Sequence, residues 1–198
     1  MFDLVEIFES LQGEGRNAGR QCAFVRFAHC NLSCPWCDTD RERRFSLSAA
    51  EIVGELLAFR ARSVILTGGE PTLVAGMDSL VAALREAGFW VAVETNGTRR
   101  VPWLERVDYV AVSPKAEFPE AYDPETMVRR ADEVRVVASA AATVGFLERM
   151  RVLIAATDYY VSPCDRDGEI DFAAAKELLG KLSGWSLSVQ LHKLLGFR

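Results

Sequence analysis

The chain predicts an α/β fold: a partial, splayed (β/α) barrel with a mostly parallel sheet, spanning residues 1–198 as a single domain. Three observations lead there. Short β-branched runs alternate with stretches of helical periodicity, which favours parallel strands joined by right-handed crossovers. The βα units are too few to close an eight-stranded barrel. Polar or glycine-rich motifs recur where the apolar runs end, and in parallel α/β folds those strand ends share one face, where ligands bind.

In chain order, Phe2–Phe8 alternates weakly and reads as a strand or an extended arm. The polar loop Ser10–Gly19 holds Gly13, Gly15 and Gly19; it suits close backbone approach to a ligand, or is a surface turn. Cys22–Phe27 reads as a strand that delivers the chain to a cysteine-rich loop. Arg26 lies inside that apolar run, where a charge is costly, so it either meets an internal carboxylate or awaits an anionic ligand. Ser48–Glu51 is a capping box opening a helix through Arg60, with Ile52, Leu56 and Phe59 at helical spacing. Strand Ser63–Thr67 ends in Gly68–Gly69–Glu70–Pro71, and helix Asp78–Ala87 is stopped by Gly88.

Strand Phe89–Glu94 leads into the loop Thr95–Thr98, and strand Tyr109–Val112 closes on Ser113–Pro114–Lys115. After a loop rich in proline and acidic residues, Glu133–Val137 reads as a strand and Thr143–Met150 as a short helix. Val152–Ala156 and Tyr159–Val161 read as strand, ending at Ser162–Pro163–Cys164–Asp165. A helix over Asp171–Leu182, a last strand over Ser186–Gln190 and the tail Leu191–Arg198 complete the chain.

Composition narrows the function classes. A chain of 198 residues buries roughly 70% of its unfolded surface, enough for a real core. The net charge is −5, and basic clusters such as Arg41–Arg44 are short, which argues against a nucleic-acid surface. No apolar stretch approaches the ~20 residues of a membrane span, and Met1–Glu6 does not resemble a signal peptide, so a cytoplasmic location is expected. Five cysteines in such a chain read as metal or redox residues rather than a disulfide framework. Cys22 and Cys164 stand apart and read as buried apolar residues.

Cys30, Cys34 and Cys37 form a C-x3-C-x2-C motif. A structural zinc site would recruit His29 or His192 as fourth ligand. A [4Fe–4S] cluster held by three thiolates would instead leave one iron open to a small molecule. With Thr67–Pro71 one βα unit later, the motif resembles the radical S-adenosylmethionine superfamily. Ser10–Gly15, Trp36–Cys37–Asp38–Thr39 and the ending Val189–Gly196 further resemble the 7-carboxy-7-deazaguanine synthase family, from the first residues to the last.

That resemblance implies a radical reaction in which 6-carboxy-5,6,7,8-tetrahydropterin is rearranged to 7-carboxy-7-deazaguanine with loss of ammonia, on the route to queuosine and related 7-deazapurines. It implies a [4Fe–4S] cluster on Cys30, Cys34 and Cys37, S-adenosylmethionine, and Mg2+ on Thr39. The pterin would meet Leu11, Gln12, Gly13, Glu14, Thr67, His192 and the C-terminal Arg198, with its carboxylate on Arg26. The S-adenosylmethionine pocket would draw on Gly69, Trp36, Cys37 and Asp38, on Ser113, Pro114 and Lys115, and on Ser162, Pro163, Cys164 and Asp165. Glu94, at a strand end, would hydrogen-bond a ribose or only adjacent backbone. The segment Ser162–Asp165 departs from the family's Gln-Pro-Met-Asp at its first and third residues. The family also implies a homodimer and an electron donor such as flavodoxin or ferredoxin, with no nucleic-acid or membrane partner. Two other functions fit parts of the motif set: an activase that places a glycyl radical on a partner, and a non-catalytic zinc-binding module.

Overall fold

A computed structural model describes residues 1–39, 42–166 and 168–197. Its strands are β1 (Phe2–Leu11), β2 (Gln21–Phe27), β3 (Phe45–Leu47), β4 (Ser63–Gly68), β5 (Trp90–Thr95), β6 (Tyr109–Val112), β7 (Glu133–Ala138), β8 (Asp158–Arg166), β9 (Glu169–Asp171) and β10 (Ser186–Leu187). Among the described residues they form one sheet in the order β10-β8-β7-β6-β5-β4-β2-β1-β3, with β9 attached to β8. From β2 to β10 along this order every pairing is parallel. Strands β1 and β3 add an antiparallel edge. A mostly parallel sheet with helical crossovers therefore stands, with β3 and β10 as its two edges.

The helices are α1 (Ala49–Leu57), α2 (Met77–Glu86), α3 (Val144–Leu153), α4 (Phe172–Leu179) and α5 (Leu191–Leu195). The Ser48–Glu51 capping box that opens α1 is fully formed, and Gly88 takes the left-handed conformation (φ 83°) expected after α2. Strand parity then sorts the side chains. Val25, Val64, Leu66, Val91, Val93, Val110 and Val134 point outward and pack with Ile52, Leu80, Leu84, Leu147 and Met150 of the helices. Their neighbours Phe24, Ile65, Ala92, Tyr109 and Ala111 point inward and form a second, smaller apolar layer. One step further along each strand lie the polar residues of the site.

Strand β1 breaks this parity. Its pairing with β2 shifts register between Leu4 and Glu6, so Phe2 and Leu4 face the helices while Phe8 joins the inner layer. The bulge lets one strand serve both faces.

Four expectations need correction. Val152–Ala156 is not a strand. Leu147, Met150 and Ile154 recur at helical spacing and are buried, α3 continues to Leu153, and only Ala155 makes a single bridge, to Arg130. The strand expected to end at Ser162–Asp165 instead runs through it, since β8 continues to Arg166. Pro163 is tolerated there because β10 pairs only with Tyr160 and Val161, leaving no ladder donor missing on that side. The last strand is Ser186–Leu187, shorter than Ser186–Gln190, and the tail beyond it forms α5. The helix expected over Asp171–Leu182 spans Phe172–Leu179, with the Asp171 side chain capping its start.

Candidate active site

The strand ends surround a cavity of about 680 Å3. It opens at the C-terminal end of the parallel strands, where the motifs converge. Leu11, Gln12, Gly13, Glu14, Arg26, Thr67 and His192 line it; so do Trp36, Asp38, Thr39, Gly69, Glu94, Ser113, Lys115, Ser162, Pro163 and Asp165. Cys30, Cys34 and Cys37 stand on its wall as free thiols. Pro114 and Cys164 do not line it; Cys164 is buried, 2% exposed, as its apolar reading expects. Cys22 is likewise buried, and burial raises its thiol to about 11. Arg198 lies outside the described residues.

The cysteine loop is shaped by its neighbours. His29 takes a left-handed backbone conformation (φ 67°) just before Cys30, turning the chain off the end of β2. Its carbonyl oxygen accepts from the Glu70 N–H at 2.8 Å, and the Gly69 N–H donates to Phe27 O at 2.9 Å. A Cβ on Gly69 would overlap the His29 carbonyl, so the two loops meet only because this residue is glycine. Glu70 is fully buried and acts as a clamp. It accepts from Thr72 N–H and hydroxyl, from the Thr95 hydroxyl and from Asn96 N–H, at 2.6–3.0 Å.

Asn96 carries the contact onward. Its amide donates to Asn31 Oδ1 at 2.9 Å and reaches Cys30 Sγ at 4.0 Å, and Asn31 donates to the Thr98 hydroxyl. The Leu32 N–H points at Cys30 Sγ from 3.5 Å. Burial raises the Cys34 thiol, against the Lys115 ammonium nearby. Among the described residues no three His, Cys, Asp or Glu side chains converge to hold a single metal ion. His29 instead faces Asp3, and it is largely exposed.

Trp36 is fixed from two sides: its indole N–H donates to Glu117 at 2.6 Å, and Lys115 Nζ sits 5.1 Å from the ring centre. Lys115 also donates to the Ser113 hydroxyl at 2.8 Å.

On the opposite wall, Arg26 meets an internal carboxylate, the first of its two readings. Its Nε pairs with Glu6 at 2.7 Å, and the side chain still lines the cavity. Its Nη1 reaches the Thr39 hydroxyl at 3.4 Å.

Deeper in, Glu94 accepts from Gln12 at 3.0 Å, from Thr67 at 2.9 Å and from Arg135 at 2.6 Å. Burial works against its charge, yet Arg135 and these hydrogen bonds bring it down to about 2. Glu14 accepts from Arg135 and from the Ser162 hydroxyl.

The tail closes one side. His192 packs on Gly13, whose Cβ would collide with the ring, and Leu191 N–H donates to Gly13 O at 2.9 Å. Burial holds His192 below the usual imidazole range, so it is neutral at pH 7. Lys193 spans Asp38 of the cysteine loop at 2.7 Å and Asp165 of β8 at 2.5 Å. Its matched position thereby gains a role that the sequence does not suggest. Sequence reasoning also passed over Arg135, Glu117 and the Asn31–Asn96 link. Arg135 carried one available signal: a charge inside the apolar run Glu133–Val137, as with Arg26.

Comparison with known proteins agrees with this geometry. The Radical SAM superfamily model matches residues 24–154. The chain is 40% identical over 201 residues to a 7-carboxy-7-deazaguanine synthase of Haemophilus influenzae, covering 98% of this chain and 93% of that one. A 7-carboxy-7-deazaguanine synthase of Neisseria meningitidis serogroup B is 42% identical over 202 residues, with the same coverage. Among solved structures, QueE from Escherichia coli aligns with a TM-score of 0.70 at 23% identity, over 96% of this chain and 94% of that chain. Streptococcus suis SuiB bound to S-adenosylmethionine aligns with a TM-score of 0.53 at 15% identity, over 84% and 51%. The two structural likenesses speak for the fold.

Proposed function

The chain belongs to the 7-carboxy-7-deazaguanine synthase family of the radical SAM superfamily, and from that premise we propose that its cavity rearranges 6-carboxy-5,6,7,8-tetrahydropterin to 7-carboxy-7-deazaguanine with loss of ammonia. One observation supports this most: Gln12, Arg26, Thr39 and His192, far apart in sequence, line one cavity together with the three cysteines. A glycyl-radical activase has no need of that set.

Cys30, Cys34 and Cys37 are suited to hold a [4Fe–4S] cluster. The Leu32 N–H and the Asn96 amide aim at Cys30 Sγ, as donors commonly do toward cluster sulfurs. A cube capped by one thiolate per iron asks for thiols spread around it, unlike the tight grouping a single ion needs. With S-adenosylmethionine, such a cluster supplies a 5′-deoxyadenosyl radical that removes a substrate hydrogen. The chain's own residues bind, aim and shield. Gly69 lines the cavity beside the cysteine loop, Trp36 offers a fixed aromatic face, and Ser113, Lys115 and Ser162 offer polar groups along the adjoining wall.

Arg26 would take the substrate carboxylate. Its Nε is already held by Glu6, so the remaining guanidinium edge is free of rotamer choice and suited to a paired contact. Thr39 is a poor Mg2+ ligand by itself, since its hydroxyl sits against that guanidinium. A carboxylate oxygen placed between them would offset the like charges, so Mg2+ enters with substrate. Neutral His192 and the Glu14 carboxylate would meet the pterin ring, and so would Glu94, which meets Gln12, Thr67 and Arg135 rather than adjacent backbone. An external one-electron donor of the flavodoxin or ferredoxin type and a homodimeric assembly complete the proposal.

The test is anaerobic incubation of reconstituted protein with dithionite, S-adenosylmethionine and the carboxylated tetrahydropterin. The expected result is a 7-deazapurine whose formation Mg2+ stimulates. Release of 5′-deoxyadenosine alone, with the pterin returned unchanged, overturns the reading.

A further inference from the structure

Charge on the inner wall is spread over several segments, and one cation ties it together. Arg135, in the middle of β7, has a side chain only 5% exposed. Its Nη1 lies 3.1 Å from Glu14, its Nη2 2.6 Å from Glu94 and its Nε 2.9 Å from Glu133. These carboxylates come from the loop after β1, from β5 and from the start of β7. They are not equivalent. Glu133 is turned away from the cavity and is satisfied by the Tyr109 hydroxyl at 2.8 Å and the Arg16 N–H at 2.9 Å. Glu14 and Glu94 line the cavity and keep 21% and 25% of their side-chain surface exposed. A carboxylate has about four acceptor sites, so both retain capacity for a ligand.

Two such anions on one wall of a half-buried cavity would repel each other and take up a proton unless a cation sat between them. A guanidinium is suited to that place because its fork addresses two carboxylates at once, where an ammonium is a point charge.

We infer that Arg135 is a positioning residue for substrate recognition: by bridging Glu14 and Glu94 it holds two carboxylate acceptors, from separate segments, at the cavity wall, set to receive the ring N–H and amino donors of a reduced pterin. The identity of that ligand rests on the function proposed above; the bridging itself does not.

The arrangement has a pH signature. The titratable and charged groups around Glu94 are Arg135 and Glu133 of β7, Glu14 of the loop after β1, His192 of α5, Cys22 of β2 and Tyr109 of β6. Without Arg135, only the Gln12 and Thr67 hydrogen bonds oppose burial and the neighbouring carboxylates at Glu94, and its protonation moves up in pH. Ligand binding then gains an acid limb that the parent protein lacks.

The experiment compares anaerobic binding of 6-carboxy-5,6,7,8-tetrahydropterin to the reconstituted parent and to Arg135→Met, by titration calorimetry between pH 5.5 and 8.5. Iron and sulfide content and S-adenosylmethionine affinity are measured alongside. The expected result is a Kd raised tenfold or more at pH 7, with the ratio of variant to parent Kd falling as pH rises, while iron content and S-adenosylmethionine affinity stay within twofold. A Kd within twofold of the parent, or a ratio that does not change with pH, overturns the inference. Should Arg135→Met not fold, Arg135→Lys is used. Its ammonium lacks the fork that gives Glu14, Glu94 and Glu133 a separate nitrogen each, and a Kd raised at least fivefold supports the role where a parental Kd overturns it. If the parent itself does not bind the pterin, the functional reading fails first; if the parent binds and the variant is unaltered, only the role of Arg135 falls.

Discussion

Glu70 shows how much a single buried group can hold in this chain. Its carboxylate takes four donors from two loops, and one of those loops carries Asn96 toward the cysteines. In Glu70→Gln an amide N–H2 must face at least one of these donors. Leaving a buried donor unmatched costs about 1–3 kcal/mol, which for a chain of this size lowers the melting temperature by roughly 2–12 °C. Thermal unfolding of the two proteins checks this, and an unchanged midpoint would show that the clamp is dispensable. As a turn acid Glu70 was legible in the Gly68–Pro71 motif; its reach to Thr95 and Asn96 was not, since no local pattern reports what a neighbouring strand end supplies. Arg26 and Arg135 divide in the same way. Each is a charge in an apolar run, but which carboxylates they meet depends on strand register and on the bulge in β1.

At the scale of elements, α5 is held by few contacts. It is a short helix without buried residues, and Lys193 ties it to Asp38 and Asp165. Asp165 is lowered by the Lys193 hydrogen bond, against burial. Burial works against the Lys193 charge, but its two carboxylates raise its pKa overall. The sign follows for each. The depressed Asp165 contributes above its unfolded pKa and fades as pH falls through its folded one. The raised Lys193 contributes below its unfolded pKa and fades as pH rises through its folded one. The latch is therefore fully set across the neutral range. Lys193→Met removes on the order of 1 kcal/mol, so hydrogen exchange of the α5 amides at pH 7 rises about fivefold; unchanged exchange would place the restraint elsewhere, on the Gly13–Leu191 bond. The sequence announced α1 and α2 through their caps and periodicity. It misled over Val152–Ala156, where a continuous apolar run hides the buried helical face of Leu147, Met150 and Ile154. Strand β3 and helix α5 are too short for any period to establish itself.

For the whole molecule, acid stability is a second reading of the network around Arg135. Glu94 sits near 2 in the folded chain, against an unfolded value near 4.3. A depressed carboxylate stabilises above its unfolded pKa and loses that contribution as pH falls toward the folded one, here roughly 3 kcal/mol between pH 5 and pH 2. The difference in urea stability between the parent and Glu94→Gln should accordingly be largest at neutral pH and less than half as large by pH 3. Acid effects common to both proteins cancel in that comparison, and a difference independent of pH would remove Glu94 from the account. Fold class and cavity position were legible because strand parity and recurring motifs at strand ends are repeated signals. The inner charge network was not, because its members lie up to 121 residues apart.

The loop after β1 reaches across the sheet to β7, β8 and the chain that follows β10. Glu14 reaches Arg135 and Ser162, Gly15 N–H donates to Ser188, and Gly13 O accepts from Leu191. One polar segment, rather than a β-ladder, thus links β1 to the strands on the far side of the sheet. None of those bonds belongs to a ladder, so losing them would leave every strand pairing intact.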